Sequence, residues 1–328
     1  MDPHYSRRTF LKSAPLLPVA MAGVLGLRPE IIKANEPVAR VGGACLKPAL
    51  NVFSFSRLLD AEIKKPGTGV TLLQVLDFCA RQGIEGLDVT SYYFPEYPNV
   101  PPETYLYEFK RRAFELGIDV FGVGARNYFI TGDKALRAKG IENVKRWVEV
   151  AARLGARVVR VFADDLVRRE SWAKALPGYT HQQVETWVAD DLRACAEHGR
   201  QHGIIIGVQN HGDFNGVAKD FLRLIKLVDS EWCAPVIDTS YFNTPDPYVD
   251  IAQVAPYAVN WIIKQSAFDG GYGEVPIDLR RLLRIGRSSG YRGYLTIETL
   301  FAPERPAEPF TAVPALLKKL RAAIAATG

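Results

Sequence analysis

Cysteine is scarce and scattered. Cys45, Cys79, Cys195 and Cys233 are the only four in 328 residues, and no two of them stand in a CxxC spacing. That excludes a thiolate zinc site of the usual kind and gives no disulfide framework. Cys79, Cys195 and Cys233 fall within apolar or helical patterns, which points to buried free thiols. Cys45 lacks the apolar run that directly precedes a lipoprotein cysteine. Histidine is nearly as scarce, at five. His198 and His202 are spaced i, i+4, but no glutamate follows His198, so the zinc-protease pattern is missing. They fall in the last turns of a helix, where histidine is electrostatically favoured. No basic stripe interleaved with aromatics exists. The net charge is only +5 and several arginines lie near the N-terminus, so nucleic acid is not an expected partner. Repeats and low-complexity blocks are also missing. So is a glycine-rich phosphate fingerprint after any strand: Gly122-Val123-Gly124 is a fragment that opens no helix, which argues against a doubly wound sheet.

No apolar run is long enough for a stable membrane anchor. The longest, from about Ala14 to Leu27, falls short of the roughly 20 residues that span a bilayer and carries two prolines and two glycines. It follows Ser6-Arg7-Arg8-Thr9-Phe10-Leu11-Lys12. Positive residues before a short apolar core resemble a twin-arginine export signal. The expectation is a signal and linker over 1–44, recognised by the twin-arginine export machinery. A single domain over 45–328 would then be periplasmic or secreted. Cleavage is expected between Ala34 and Ala44, where the sequence reads as a linker. About 290 residues remain, enough for one barrel of roughly 250 residues with additions.

That remainder alternates short β-branched runs with helix-period segments, the pattern of parallel strands covered by helices. The strands are expected at Leu50–Phe53, Gly86–Val89, Asp119–Val123, Val158–Phe162, Ile204–Val208, Pro235–Asp238, Val259–Lys264 and Tyr294–Glu298. Helices are expected at Leu72–Gln82, Pro102–Leu116, Glu142–Leu154, Gln182–Gln201, Lys219–Leu227, Asp250–Ala255, Leu279–Arg287 and Val313–Ala326. Eight of each predicts an α/β fold, the (β/α)₈ TIM barrel, whose functional site lies where the strands end.

The polar residues at those ends are few. They are Ser54 and Ser56, Asp88, Arg126 and Asn127, Arg160 with Asp164 and Asp165, Gln209 to Asp213, Asp238, Lys264 with Gln265, and Glu298. His211 stands just past an apolar strand, in a glycine-containing loop; a merely solvent-facing histidine is the plain alternative. Asp238 and Glu298 each close an apolar strand, and a buried carboxylate needs a partner: a metal, a sugar hydroxyl or Lys264. Lys264 could hold a developing enolate charge, or act as acid or base if burial lowers its pKa. Tyr92, Tyr93 and Phe94 suit either a sugar-binding wall or loop packing. Arg160 and Gln209 join Tyr92 and Tyr93 as candidate substrate contacts.

Several of these stretches together resemble the xylose-isomerase-like barrel superfamily, in its sugar phosphate isomerase/epimerase branch. They are Gly83-Ile-Glu-Gly-Leu-Asp88, Gly203-Ile-Ile-Ile-Gly-Val-Gln-Asn-His-Gly212, Val236-Ile-Asp-Thr-Ser240, Lys264, and Gly290-Tyr-Arg-Gly-Tyr-Leu-Thr-Ile-Glu298. The resemblance covers nearly all of the chain after the signal. Members of that family commonly hold a divalent metal with Glu, Asp, His and Glu from the fifth to the eighth strands. Here those positions carry Gln209, Asp238, a residue near Ile262, and Glu298. The resemblance therefore implies a metal-assisted isomerase or epimerase, or a related lyase, acting on a small sugar or keto-sugar. Its proton would be moved by Glu298, Lys264 or His211. A cation (Mg²⁺, Mn²⁺ or Zn²⁺) would be held by Asp238, Glu298, Gln209 and His211. The two departures also imply an alternative, a non-catalytic carbohydrate-binding protein on the same barrel. A homo-oligomer is left open. An exported location argues against a phosphorylated sugar.

Overall fold

The structure, a computed structural model, describes residues 36–162, 171–268, 274–300 and 308–327. Residues 1–35, with the expected export signal, and the Asp164–Asp165 pair lie outside them. Eight parallel strands close a barrel: β1 (Cys45–Asn51), β2 (Gly86–Thr90), β3 (Asp119–Gly124), β4 (Val158–Phe162), β5 (Ile205–Gln209), β6 (Cys233–Asp238), β7 (Asn260–Lys264) and β10 (Arg292–Glu298). The order around it is β1-β10-β7-β6-β5-β4-β3-β2. Between strands run α1 (Ser56–Lys64), α2 (Leu72–Gln82), α3 (Glu103–Glu115), α4 (Lys134–Leu154), α5 (Trp172–Ala175), α6 (His181–His202), α7 (Ala218–Val228), α8 (Pro247–Val254) and α9 (Leu279–Ser288). Helix α10 (Pro309–Ala326) follows the last strand, and a hairpin of β8 (Ser266–Phe268) and β9 (Glu274–Pro276) follows β7. Among the described residues no helix is long and apolar enough to cross a membrane.

The expected barrel is present. The expected first strand is not where the apolar run suggested. Val52–Phe55 forms a 3₁₀ turn, because the Asn51 side chain accepts a hydrogen bond from the Phe53 amide at 2.9 Å. The strand lies earlier, over a segment with Lys47 and Pro48 that shows no strand-like alternation. Its pairing with β10, from Cys45–Arg292 to Leu50–Ile297, supplies what local pattern does not. Helices α1 and α5 and the small hairpin were not expected either. Residues 36–44 form no regular element, and two of them are tied to the barrel. The Val38 amide donates to Pro256 O at 3.0 Å, and Arg40 donates to Ala258 O at 2.6 Å.

Alternation along each strand divides the barrel into two environments. Residues facing the helices, such as Leu87, Val159, Ile206, Ile237, Trp261 and Ile297, are fully buried and form the main core. Residues facing the axis become polar toward the strand ends. Cys79, Cys195 and Cys233 are buried free thiols.

Two glycines make room for that polar interior. A Cβ on Gly124 would stand 2.6 Å from a terminal guanidinium nitrogen of Arg160, and one on Gly122 would stand 3.2 Å from Asp88 Oδ1. The glycine pair is thus explained by the close approach of β3 to an ion pair, not by phosphate binding. Gly124→Ala is expected to cost about 1–3 kcal/mol, as overpacking does, read as a lower urea midpoint. An unchanged midpoint would show that Arg160 can yield without loss.

Candidate functional site

Six inward side chains at the strand ends form one connected array. Arg160 Nε donates to Asp88 Oδ2 at 3.0 Å, and another nitrogen of the same guanidinium donates to Gln209 Oε1 at 2.8 Å. Gln209 Nε2 donates to Asp238 Oδ2 at 2.6 Å. Lys264 Nζ lies 3.3 Å from that same oxygen and bonds Glu298 Oε1 on the other side. The array therefore runs Asp88, Arg160, Gln209, Asp238, Lys264, Glu298 around the barrel. Barrel closure produces it, because β5, β6, β7 and β10 are consecutive neighbours.

The frame is held by backbone contacts. Asn210 donates to Asp238 O at 3.1 Å and accepts from the Asp238 amide at 2.6 Å. Asp238 Oδ1 accepts from the Ser240 amide at 3.0 Å. The Lys264 amide donates to Thr239 Oγ1 at 3.2 Å, and Ser54 Oγ accepts from the Thr299 amide at 3.0 Å.

Above the array opens a cavity of about 320 Å³. Phe53, Tyr92, Tyr128, Phe162, Tyr241 and Leu300 give it apolar walls; Arg126, Arg160, Gln209, His211, Lys264 and Glu298 give it polar groups. Asp88 and Asp238 are absent from that lining and are 1% and 0% exposed. They are the charges behind the wall. The His211 ring lies between Phe162 and Tyr241, with centroids 4.6 Å and 4.4 Å away. The Arg126 guanidinium lies 4.9 Å over the Tyr92 ring.

Protonation follows from these partners. Burial alone would pull Lys264 down, but the Asp238 and Glu298 carboxylates outweigh it and hold the ammonium above its ordinary range. Arg160 is likewise pulled down by burial and raised on balance by Asp88 and Glu298. Lys264 is therefore held as a cation, and the lowering by burial on which an acid or base role depended is outweighed. Burial pushes the Asp88 carboxyl up, with Arg160 opposing. Burial also takes the Tyr92 hydroxyl up to about 12, so it is a neutral hydrogen-bonding group at neutral pH.

The expected divalent site does not fit these residues. An ammonium already stands between Asp238 and Glu298. The Gln209 oxygen is turned to Arg160, its nitrogen to Asp238. On the same face of β7, the position before Lys264 holds Ile262, fully buried and unable to coordinate. Two like unit charges 4 Å apart repel by roughly 4 kcal/mol at an effective dielectric constant of 20, and a dication beside Lys264 doubles that. Among the described residues, Asp238, Glu298 and His211 do not bring their potential ligand atoms within 4.8 Å of one another; Glu149, His198 and His202 do. That second group is on the outside of the barrel, between α4 and α6, with His198 Nε2 3.4 Å from Glu149 Oε1. The sequence showed only the histidine pair, since nothing local announces that α4 brings a glutamate alongside.

Most of the expected residues meet in one place. Glu298, Lys264, His211, Tyr92, Arg160 and Gln209 line the cavity, and Asp238 backs it. Tyr93 does not line it: it packs behind, 4.8 Å from the Tyr92 ring and 6.5 Å from Phe53. Asp88 has a larger part than its place in the sequence suggested, as the anchor of Arg160. Tyr128 and Tyr241 lie in loops that the sequence did not single out, and Phe53 was expected as part of the first strand rather than as a cavity wall.

No sequence among the curated proteins is significantly similar to the chain. Among solved structures, 3-keto-D-glucoside 4-epimerase from E. coli superposes with a TM-score of 0.64 at 16% identity, over 85% of this chain and 99% of that one. D-Psicose 3-epimerase from Clostridium cellulolyticum H10, crystallised with D-tagatose, gives 0.66 at 13%, over 85% and 99%. IOLI protein with a bound zinc atom gives 0.67 at 16%, over 86% and 99%. At such identities the likeness speaks for the fold. The sequence profile described as xylose isomerase-like TIM barrel matches residues 76–321 of the 328, and the chain belongs to that family.

Proposed function

We propose that this protein is an isomerase or epimerase, or a related lyase, of a sugar or keto-sugar. It would act by moving a proton at a carbon beside a carbonyl. One observation carries the reading: the Glu298 carboxylate and the Lys264 ammonium stand in contact on the wall of an aromatic-flanked cavity at the strand ends. Tyr92 and Phe53 offer faces for the apolar side of a sugar ring and Tyr92 adds a hydroxyl. With the substrate carbonyl turned to Lys264, Glu298 takes the proton from the adjacent carbon. The C–H electron pair then becomes the C=C bond of an enolate, and the oxygen charge develops against a fixed cation. Returning the proton to the neighbouring carbon, while the hydroxyl proton of the first carbon passes to the enolate oxygen, isomerises; returning it to the other face of the first carbon epimerises and needs a second group. Gln209 cannot be that group, because an amide does not take up a proton at neutral pH. His211 faces the same cavity and is the candidate.

The test is incubation of the purified protein in D₂O with a panel of aldoses, ketoses and oxidised sugars, with Mg²⁺, Mn²⁺ or Zn²⁺ added or removed. Deuterium at carbon and a new sugar by NMR are expected. Failure with every sugar, alongside turnover of another class of compound, would sink the reading. The glutamine in place of a base favours a second reading, a carbohydrate-binding protein without turnover. Calorimetric sugar binding with no deuterium uptake would select it.

We also propose export to the periplasm by the twin-arginine route, supported by Arg7-Arg8 before a short apolar core. Changing both to lysine is expected to leave full-length precursor in the cytoplasm on fractionation. Unchanged export would remove this proposal and leave the chemistry untouched.

A further inference from the structure

We infer that Lys264 is the resident cation of this barrel, standing where a divalent ion would have to sit, and that the strand-end site needs no metal. Its service to a substrate oxygen rests on the sugar reading above; the metal independence does not.

The position of Lys264 is dictated by topology. β7 lies between β6 and β10, with Asp238 paired in register to Ile262 and Glu298 to Lys264. The last inward side chain of β7 therefore rises between the two carboxylates. Lys264 is 4% exposed, with its ammonium 3.3 Å from Asp238 and bonded to Glu298. Two carboxylates converging in a buried place repel unless a cation separates them. Here the cation is covalently part of the chain, so it cannot be lost to a chelator.

The neighbours are adapted to one positive charge at that point. Gln209 gives Asp238 a neutral N–H where a carboxylate would add another negative charge. Ile262 adds no lone pair. The carboxylates of Asp88, Asp238 and Glu298 face the cations Arg160 and Lys264, each bonded or bridged to the next. An ammonium has three protons. One is bonded to Glu298, Asp238 is paired by charge at 3.3 Å, and the side chain also lines the cavity, so an ammonium proton can be offered to an oxygen there. One side chain can then hold the carboxylates together and receive the negative charge that forms on a substrate carbonyl.

Mn²⁺ binding, followed by electron paramagnetic resonance without any substrate, tests this. Wild type is expected to hold no Mn²⁺ that Asp238→Asn or Glu298→Gln removes. Mn²⁺ bound equally by wild type and both variants lies elsewhere, for instance at Glu149, His198 and His202, and agrees with the inference. Lys264→Met, which vacates the position and keeps its bulk, is expected to gain about tenfold or more in Mn²⁺ affinity, lost again in Lys264→Met/Asp238→Asn. One equivalent of Mn²⁺ in wild type that disappears in Asp238→Asn overturns the inference, and so does a folded Lys264→Met that binds no better than wild type. If Lys264→Met does not fold, the comparison of wild type with Glu298→Gln decides. These titrations use no sugar, so failure of the sugar reading cannot be mistaken for failure here.

Discussion

Glu298→Gln is expected to leave the protein folded while slowing turnover by about 10²–10⁴-fold, the usual range for removing a general base. The substitution keeps the shape and one acceptor oxygen for Lys264, while it removes the charge and the capacity to take a proton. Lys264 retains Asp238 as a counter-charge at 3.3 Å, so the cation stays charged and in place. Substrate binding should change little, because the aromatic walls and Arg126 are untouched. The loss should therefore fall on kcat with KM nearly constant, and deuterium uptake from D₂O should fall in parallel. A variant that keeps its turnover would move the proton transfer to His211, whose replacement by glutamine would then show the same loss.

The second large effect is on stability. Arg160→Met is expected to destabilise the fold by about 3–5 kcal/mol, the range for removing one partner of a buried ion pair. Asp88 is 1% exposed, and without Arg160 its remaining side-chain hydrogen bond among the described residues is from the Asn51 amide at 3.5 Å. Gln209 would lose the donor to its oxygen as well. Urea denaturation at pH 7 measures the change. Arg160→Met/Asp88→Asn should regain part of it, since an amide is less costly to bury than an unpaired carboxylate. The pH dependence follows from Asp88. Its carboxyl is already pushed up by burial and held back by Arg160, so losing Arg160 raises it further. A carboxyl with a raised folded pKa penalises folding above that pKa. The Asp88 share of the deficit should therefore shrink as pH falls through it and be gone below the unfolded value, near 3.9, while the share from Gln209 remains. A deficit that stays constant down to pH 4 would assign the loss to packing alone.

The fold was legible because the barrel strands after the first are short, largely apolar runs, several of them closed by a polar residue. That pattern needs no partner to be recognised. The first strand was not legible: Lys47 and Pro48 gain their places from β10, nearly 250 residues away in sequence. The site was half legible. Strand-end position singled out Asp238, Lys264 and Glu298, and closure of a barrel implies that they converge. What the sequence could not show is the order of contacts. Whether an acid at a strand end meets a metal, a sugar or a lysine depends on side-chain reach across strands. Gln209 and Ile262 showed that something had changed, but not that Lys264 fills the gap. Three of the aromatic walls, residues 53, 128 and 241, lie outside the strands, where no periodicity operates.

The amide of Gln209 has a direction: its oxygen accepts from Arg160 and its nitrogen donates to Asp238. A glutamate there would still satisfy Arg160 but would set a carboxylate oxygen against Asp238, where a 2.6 Å donor contact now lies. Descent through this position is therefore constrained in one direction. With isoleucine at 262 and Lys264 in place, a lone change to glutamate at 209 meets repulsion from Asp238. The effect of such a change therefore depends on what stands at the neighbouring positions, an epistatic coupling built from the polarity of one side chain.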